Sequence, residues 1–250
     1  MPRIQSCILA NLNHYFRLGD DDQRLLRDLE KDPAQMRSGQ PLWTADSPVD
    51  QLYIIQSGWA YSFRDNPDGG RQVVDILLPG DVAGLRELTF ATHISEARMI
   101  TEGVVYPFPH HRILDIMENS TPLSMALLAA FARQEAILTE RLLLISQRSA
   151  RARIAHFIIE THTRLNRVQP TDLSGFYLPL SQKLLGELLG LTSVHVSRSL
   201  SDMTRDGLLT KARHHIEVHD RDRLFEEADF DDRYLSSAMS GLHARVEDTA

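Results

Sequence analysis

The chain has 250 residues, 42% of them hydrophobic and 24% charged, which is enough to bury a core and favours two domains over one. No run approaches the roughly 18 uninterrupted apolar residues of a membrane span, and MPRIQSCILANLNHYF lacks a long apolar segment ending in a signal-cleavage pattern, so a cytoplasmic location without membrane partners is expected. The formal net charge is −7, and the single cysteine, Cys7, excludes an intramolecular disulfide, a Cys-rich zinc site and a cluster held by several thiolates of one chain.

From Gly39 to about Phe108 the pattern is short and β-like: LYIIQSGWAYSF, a turn at Asn66-Pro67-Asp68-Gly69-Gly70, then RQVVDILLPGD. Strands of this length between Gly/Pro/Asp turns predict a sandwich or roll. After Pro79-Gly80-Asp81 the loop GLRELTFATHISEARM runs on to a further strand, MITEGVVYPF. Four histidines fall in this part: His14, His93, His110 and His111. The last two are adjacent, so on a strand they point to opposite faces and cannot chelate one metal.

Ser120-Thr121-Pro122 predicts a helix start, with a hydroxyl as N-cap and Pro in the first turn, where its missing N–H costs nothing. In the long helix that follows, Leu128, Phe131, Glu135, Leu138, Leu142 and Ile145 alternate spacings of three and four, the seam of a two-stranded coiled coil. One helix packed on its own core has the same periodicity. About 25 residues without a breaker span roughly 37 Å, more than a small domain needs, and that favours a dimer.

A further helix, ARARIAHFIIETHTRL, is followed by a polar break, NRVQPTDLSG, and then by LLGELLGLTSVHVSRSL. DGLLTKARHHIEVHD alternates as a short hairpin with a basic tip, and FDDRYL predicts a short helix in an acidic tail whose end, SGLHARVEDTA, is expected to fray. Charge is unevenly placed. Residues 1–147 carry 13 basic against 19 acidic side chains, residues 148–217 carry 10 against 6, and residues 218–250 carry 4 against 9. An acidic chain can therefore still present a phosphate-binding face.

In LLGELLGLTSVHVSRSL, Leu184, Leu185, Leu188 and Leu189 share one helical face, Gly190 permits the left-handed turn that stops a helix, and Thr192 can cap the next. Gly186, without a side chain, allows a close crossing. Val196, Leu200 and Met203 then bury, leaving Ser193, Val194, Ser197 and Arg198 outward. An ordinary helical hairpin reads the same way. The basic hairpin that follows, with Lys211, Arg213, His214 and His215, has the place of a wing and favours a winged helix-turn-helix.

With these motifs in order, the chain resembles the Crp/Fnr superfamily of bacterial transcription regulators from about Leu12 to Leu224. The matching residues of the roll are Gly39, Tyr53-Ile54-Ile55-Gln56-Ser57-Gly58, Asp68-Gly69-Gly70-Arg71-Gln72 and Pro79-Gly80-Asp81. Those of the second part are Arg153-Ile154-Ala155, Leu188-Leu189-Gly190-Leu191-Thr192, Val196-Ser197-Arg198 and Asp206-Gly207-Leu208-Leu209. The resemblance implies an α+β fold: a cyclic-nucleotide-binding-like sensory β-roll over 1–118, a dimerisation helix over 119–147 with its seam at Leu128, Phe131, Leu138, Leu142 and Ile145, and a winged helix-turn-helix over 148–225. Residues 226–250 form an acidic tail. It also implies a homodimer on an imperfect palindrome of double-stranded DNA, and RNA polymerase as a partner.

Arg198 matches the family arginine that hydrogen-bonds a base edge, and a guanidinium suits guanine O6 and N7 in the major groove. Ser197 matches a serine found beside it in one branch. A glutamate that often precedes that arginine by four residues is replaced by Val194, so contact to a cytosine amino group is lost and contact to a thymine methyl takes its place. Base readout is thus expected from Ser193, Val194, Ser197 and Arg198, and backbone contact from Thr192, His195, Lys211 and Arg213.

In cyclic-AMP-binding relatives the loop after Pro-Gly-Asp offers a glutamate to the ribose and an arginine to the phosphate. With Phe90 aligned on the family aromatic, Arg86 stands at the glutamate position and Glu96 at the arginine position, so the charges are reversed. A shift of one or two residues brings Glu87 and Arg98 there instead. Leu138 occupies the place of a base-contacting hydroxyl, with Thr139 following. Gly84, Arg86, Glu87, Glu96, Arg98 and Thr139 outline the candidate effector pocket. No cofactor is expected; cyclic nucleotide and haem, with a histidine as axial ligand, are the alternatives. A ligand-binding module without DNA binding leaves the helix-turn-helix and wing unexplained. Catalysis is not expected, since there is no cupin-type His-x-His set, Gly-rich phosphate loop or GxSxG elbow.

Overall fold

The computed structural model describes residues 6–170 and 172–236. Two compact units share the chain: one holds the residues up to Ala60 with Leu77–Glu135, the other Tyr61–Ile76 with Ala136–Leu235.

The first unit starts with two helices absent from the sequence reading, α1 (Cys7–Leu12) and α2 (Asp20–Leu29). Ser6 caps α1, its hydroxyl accepting from the Leu9 N–H at 3.1 Å. Asp20, Asp21 and Asp22 place negative charge at the positive end of α2. Strands β1 (Ala34–Met36), β2 (Pro41–Trp43) and β3 (Gln51–Ile55) follow. After a hairpin, β4 (Ala60–Asp65) and β5 (Arg71–Leu77), come β6 (Val82–Ala83), β7 (Glu96–Met99) and β8 (Gly103–Pro109). One antiparallel sheet has the order β1-β8-β3-β6, and β2 pairs with β7 in a second.

The alternation of β3 divides the interior. Leu52 and Ile54 point to a cluster with Ile8, Leu12, Leu26, Phe108 and Leu123, whereas Ile55 joins Leu42, Trp43, Ala97, Met99 and Val105 on the opposite face. The expected β-roll is thus a two-sided sheet, with helices covering one face. His110 and His111 lie in the turn leading to α3 (Arg112–Asn119), a helix the sequence reading missed, and not on a strand.

The long helix, α4 (Thr121–Gln147), begins as predicted, the Ser120 hydroxyl accepting from the Leu123 N–H at 3.0 Å. Apolar residues surround it. Leu123, Leu127, Ile137 and Leu144 are buried, while Leu128 and Leu142 remain 57% and 68% exposed. The exposed stripe runs Leu128, Ala132, Glu135, Thr139, Leu142, Ser146. It keeps three of the predicted seam positions and moves the others by one, because Ile145 turns inward: its Cγ2 lies 3.2 Å from where a Gly190 Cβ would be.

In the second unit, α5 (Ala150–Val168) is followed by β9 (Gly175–Tyr177), α6 (Gln182–Leu189), α7 (Ser193–Arg205), β10 (Leu209–Ala212), β11 (His215–Val218) and α8 (Arg221–Ala228). The three strands order as β10-β11-β9, all antiparallel. Strand β9 begins at the end of the predicted polar break, and α8 lies where the wing was expected to run out into the tail. The predicted helix in FDDRYL is one turn of 3-10 helix at Asp232–Tyr234; the terminal SGLHARVEDTA lies outside the described residues. The Tyr61–Ile76 hairpin, which the sequence places in the first domain, groups with this unit, as do residues 226–235.

Candidate nucleic-acid interface

Gly190 ends α6 with φ 65° and ψ 38°, and its N–H donates to the Gly186 carbonyl. A Cβ on Gly186 would stand 2.5 Å from the Leu191 carbonyl oxygen, so the missing side chain is what lets the turn fold back on α6. Arg153, on α5, donates to the Leu189 carbonyl at 3.1 Å and braces that turn. Thr192 then caps α7, its hydroxyl accepting from the His195 N–H at 3.2 Å. Val196, Leu200 and Met203 are buried against Leu185, Leu188 and Leu189, as their spacing predicts.

That packing leaves Thr192, Ser193, Val194, His195 and Arg198 exposed at the N-terminal half of α7, with Val194 at 55%. Among the described residues Arg198 enters no ion pair, so its guanidinium is available to a ligand. Ser197 is half-buried and faces a groove of about 500 Å³ between α7 and the β10–β11 hairpin. Lys211 and Arg213 line its far wall, and the Lys211 Nζ donates to the Arg213 carbonyl at 3.3 Å. Burial holds the Lys211 ammonium below the usual lysine range.

The groove also recruits Ser181, Gln182, Ser201, Thr204 and Arg205, which the sequence reading did not name. Ser181 had a signal, an N-cap serine before an apolar run; its hydroxyl accepts from the Leu184 N–H at 3.1 Å, opening the positive end of α6 toward the groove. Asp202 of α7 pairs with Arg205 of the groove, and two further acids are held by α5. Arg151 donates to Asp206 at 2.7 Å and to Glu227 at 2.9 Å, tying α5 to the end of α7 and to α8. The Glu227 contact, then Asp206, raises the arginine further above its ordinary range. A two-helix head with an exposed arginine on the second helix and a basic hairpin beside it can hold phosphate and present a cation to base edges.

Both parts of the chain match known domain families. Residues 152–227 match the Crp-like helix-turn-helix domain, and residues 33–120 match the cyclic nucleotide-binding domain. The chain belongs to the Crp/Fnr family of transcription regulators. It is 25% identical to the anaerobic regulatory protein of Pasteurella multocida over 89% of this chain and 81% of the other. It is likewise 25% identical to the fumarate and nitrate reduction regulatory protein of Escherichia coli K12 over 90% of this chain and 89% of that one. Among solved structures, FixK2 from Bradyrhizobium japonicum superposes with a TM-score of 0.70 at 26% identity, over 78% of this chain and 96% of that one.

In this Crp/Fnr regulator the loop matching the effector site has already partnered its charges. Gly84, at φ 98°, starts a short turn from which Arg86 reaches Glu135 and the Gln134 carbonyl, each at 3.2 Å. Glu87 is buried; its carboxylate accepts from the Ser95 hydroxyl at 2.6 Å and lies 2.5 Å from His93 Nδ1. Trp43 stacks on that imidazole at 4.8 Å. Glu96 and Arg98 pair with each other along β7. Thr139 is exposed on α4, in the other compact unit. Neither register of the sequence alignment presents an uncommitted arginine to a buried cyclic phosphate, so these residues do not fit that ligand. Of the histidines considered as haem ligands, His93 is engaged as described, His110 Nδ1 lies 3.1 Å from the Asp50 carbonyl oxygen, and His14 is exposed.

Proposed function

We propose that this regulator acts as a homodimer on an imperfect palindrome of double-stranded DNA, without cyclic AMP or haem as effector and without catalysis. Arg198, Ser193, Val194 and Ser197 read bases; Thr192, His195, Lys211 and Arg213 position the phosphates. The supporting observation is the exposed N-terminal half of α7 beside a basic groove. Two such helices, set about 34 Å apart by pairing along α4, meet successive major grooves. The exposed Leu128, Ala132 and Leu142 on the outer face of α4 support that pairing, since apolar side chains in a helical row ask for cover. RNA polymerase as partner and the cytoplasm as location follow from family membership. Cys7 supports no redox role: burial, then Glu30, push its thiol up.

The test is selection of bound fragments from genomic DNA, followed by mobility shift at several salt concentrations. A recurring two-fold motif with salt-dependent binding is expected; retention of no fragment overturns the reading. Calorimetry with cyclic AMP is expected to show no binding, and micromolar affinity would overturn that part alone.

A further inference from the structure

Strand β5 is held by two arginines that DNA binding does not use. Arg141, on α4, donates to the Val74 carbonyl at 2.8 Å, and Arg164, on α5, donates to the Ile76 carbonyl at 2.9 Å. Between the two guanidiniums lies Glu160, its Oε1 3.5 Å from Arg141 and 3.4 Å from Arg164. Burial pushes the Glu160 carboxyl above the usual carboxylate range, the two guanidiniums pull it back, and Asp75, between the two clamped carbonyls, pushes it up again. All four side chains belong to residues at least nine-tenths buried. Farther along the strand, Gln72 donates to the Glu187 carbonyl of α6 at 2.7 Å. One strand of a hairpin inserted in the roll sequence is thereby fastened to the dimerisation helix, to the first helix of the DNA-binding part and to its helix-turn-helix.

Four buried charges are costly to assemble, and the Glu160 contacts exceed ordinary hydrogen-bond length. An apolar core would hold a static joint as well. An ion cluster, by contrast, can be opened by the loss of a single charge, which suits it to a two-state element. From these observations we infer that Arg141, Glu160 and Arg164 form a latch that locks the Tyr61–Ile76 hairpin onto the DNA-binding part and holds α5 in its angle to α4. The closed latch is DNA-competent: its outermost contact is the backbone of α6, leaving Ser193, Val194 and Arg198 uncovered. Any effector of the roll, from which the hairpin leaves at Ala60 and to which it returns at Leu77, acts by pulling the latch open.

The inference rests on α7 as the DNA-reading helix, and the test separates the two. Hydrogen exchange on the full chain is compared between wild type and Glu160→Gln, which keeps shape and removes charge. Amides of β5 and α5 are expected to exchange about tenfold faster in the variant, with those of β3 and β8 unchanged. Operator affinity is expected to fall about tenfold, as it does when one molecule in ten is competent, while the preference for operator over random duplex stays constant. Gln72→Ala, at an exposed residue, opens only the outer contact and is expected to lose a few-fold affinity with no change in melting, so it decides the matter should Glu160→Gln fold poorly. Exchange of β5 in step with β3 and β8 overturns the latch. So does wild-type operator affinity in both variants. If wild type bound no duplex, the DNA reading would fail and the exchange arm would still judge the latch.

Discussion

Arg198→Ala tests the reading head most directly. The side chain is exposed and enters no ion pair among the described residues, so its loss should change folding stability by no more than about 0.5 kcal/mol. A bidentate arginine–guanine contact discriminates by about 1–3 kcal/mol, and a dimer presents two such arginines. Loss of both should cost roughly 2–6 kcal/mol on the operator, a weakening of at least about thirtyfold at 1.4 kcal/mol per decade. On random duplex, where the same guanidinium is at most a phosphate contact, the loss should be a few-fold. Fluorescence anisotropy with operator and scrambled duplexes at one salt concentration measures both numbers, and unchanged melting confirms the fold. Equal proportional loss on the two duplexes would refute base readout by Arg198 and reassign it to the phosphates.

Four further outcomes follow from the same structure. Lys211→Ala should leave the operator preference intact and reduce the slope of log affinity against log salt by roughly 2 for two phosphate contacts per dimer; an unchanged slope would remove Lys211 from the backbone set. Leu142→Glu, at the most exposed apolar position of α4, should shift sedimentation to monomer without lowering the melting temperature, and a full dimer at micromolar concentration would contradict pairing along that stripe. Gly190→Val forces a β-branched residue to φ 65° with Ile145 already 3.2 Å from the new Cβ, so a cost of at least about 1–2 kcal/mol in urea denaturation is expected, against near-zero for a change at exposed Ser201. Burial, then Arg141 and Arg148, lower His156 to about 4 from 6.5, so the unfolded chain takes up the proton first. The neutral imidazole's contribution is complete above pH 6.5 and declines as pH falls toward 4, by about 3 kcal/mol; His156→Gln should flatten that window, and equal pH dependence in both proteins would refute it.

The helix-turn-helix was legible because its determinants are local. A left-handed glycine, an N-cap threonine and apolar spacings of three and four all sit within LLGELLGLTSVHVSRSL, and each acts on neighbours a turn away. The seam was legible only to within one residue. Spacings of three then four, or four then three, trace the same face of an α-helix, so 128, 131, 135, 138, 142, 145 and 128, 132, 135, 139, 142, 146 were equally good readings. What separates them is Gly190, 45 residues beyond Ile145, whose bare backbone offers that side chain an intramolecular seat. Strand β9 was hidden for a like reason: three residues make a strand only through their pairing with β11.

The effector loop and the latch share a more general obstacle. Arg141, Glu160 and Arg164 read in sequence as charges on solvated helix faces, where such residues ordinarily stand. Their burial is imposed by carbonyls of Val74 and Ile76, 67 and 88 residues away in the chain, which no periodicity can foresee. Glu87, His93 and Ser95 likewise meet only because the loop closes on itself. Alignment alone could say that the loop's charges were reversed; it could not say that Arg86 was committed to Glu135, Glu87 to Ser95 and His93, and Glu96 to Arg98. Where a chain commits its buried charges to its own backbone and side chains, only the folded contacts reveal it, and here Arg141 and Arg164 are committed to the carbonyls of Val74 and Ile76.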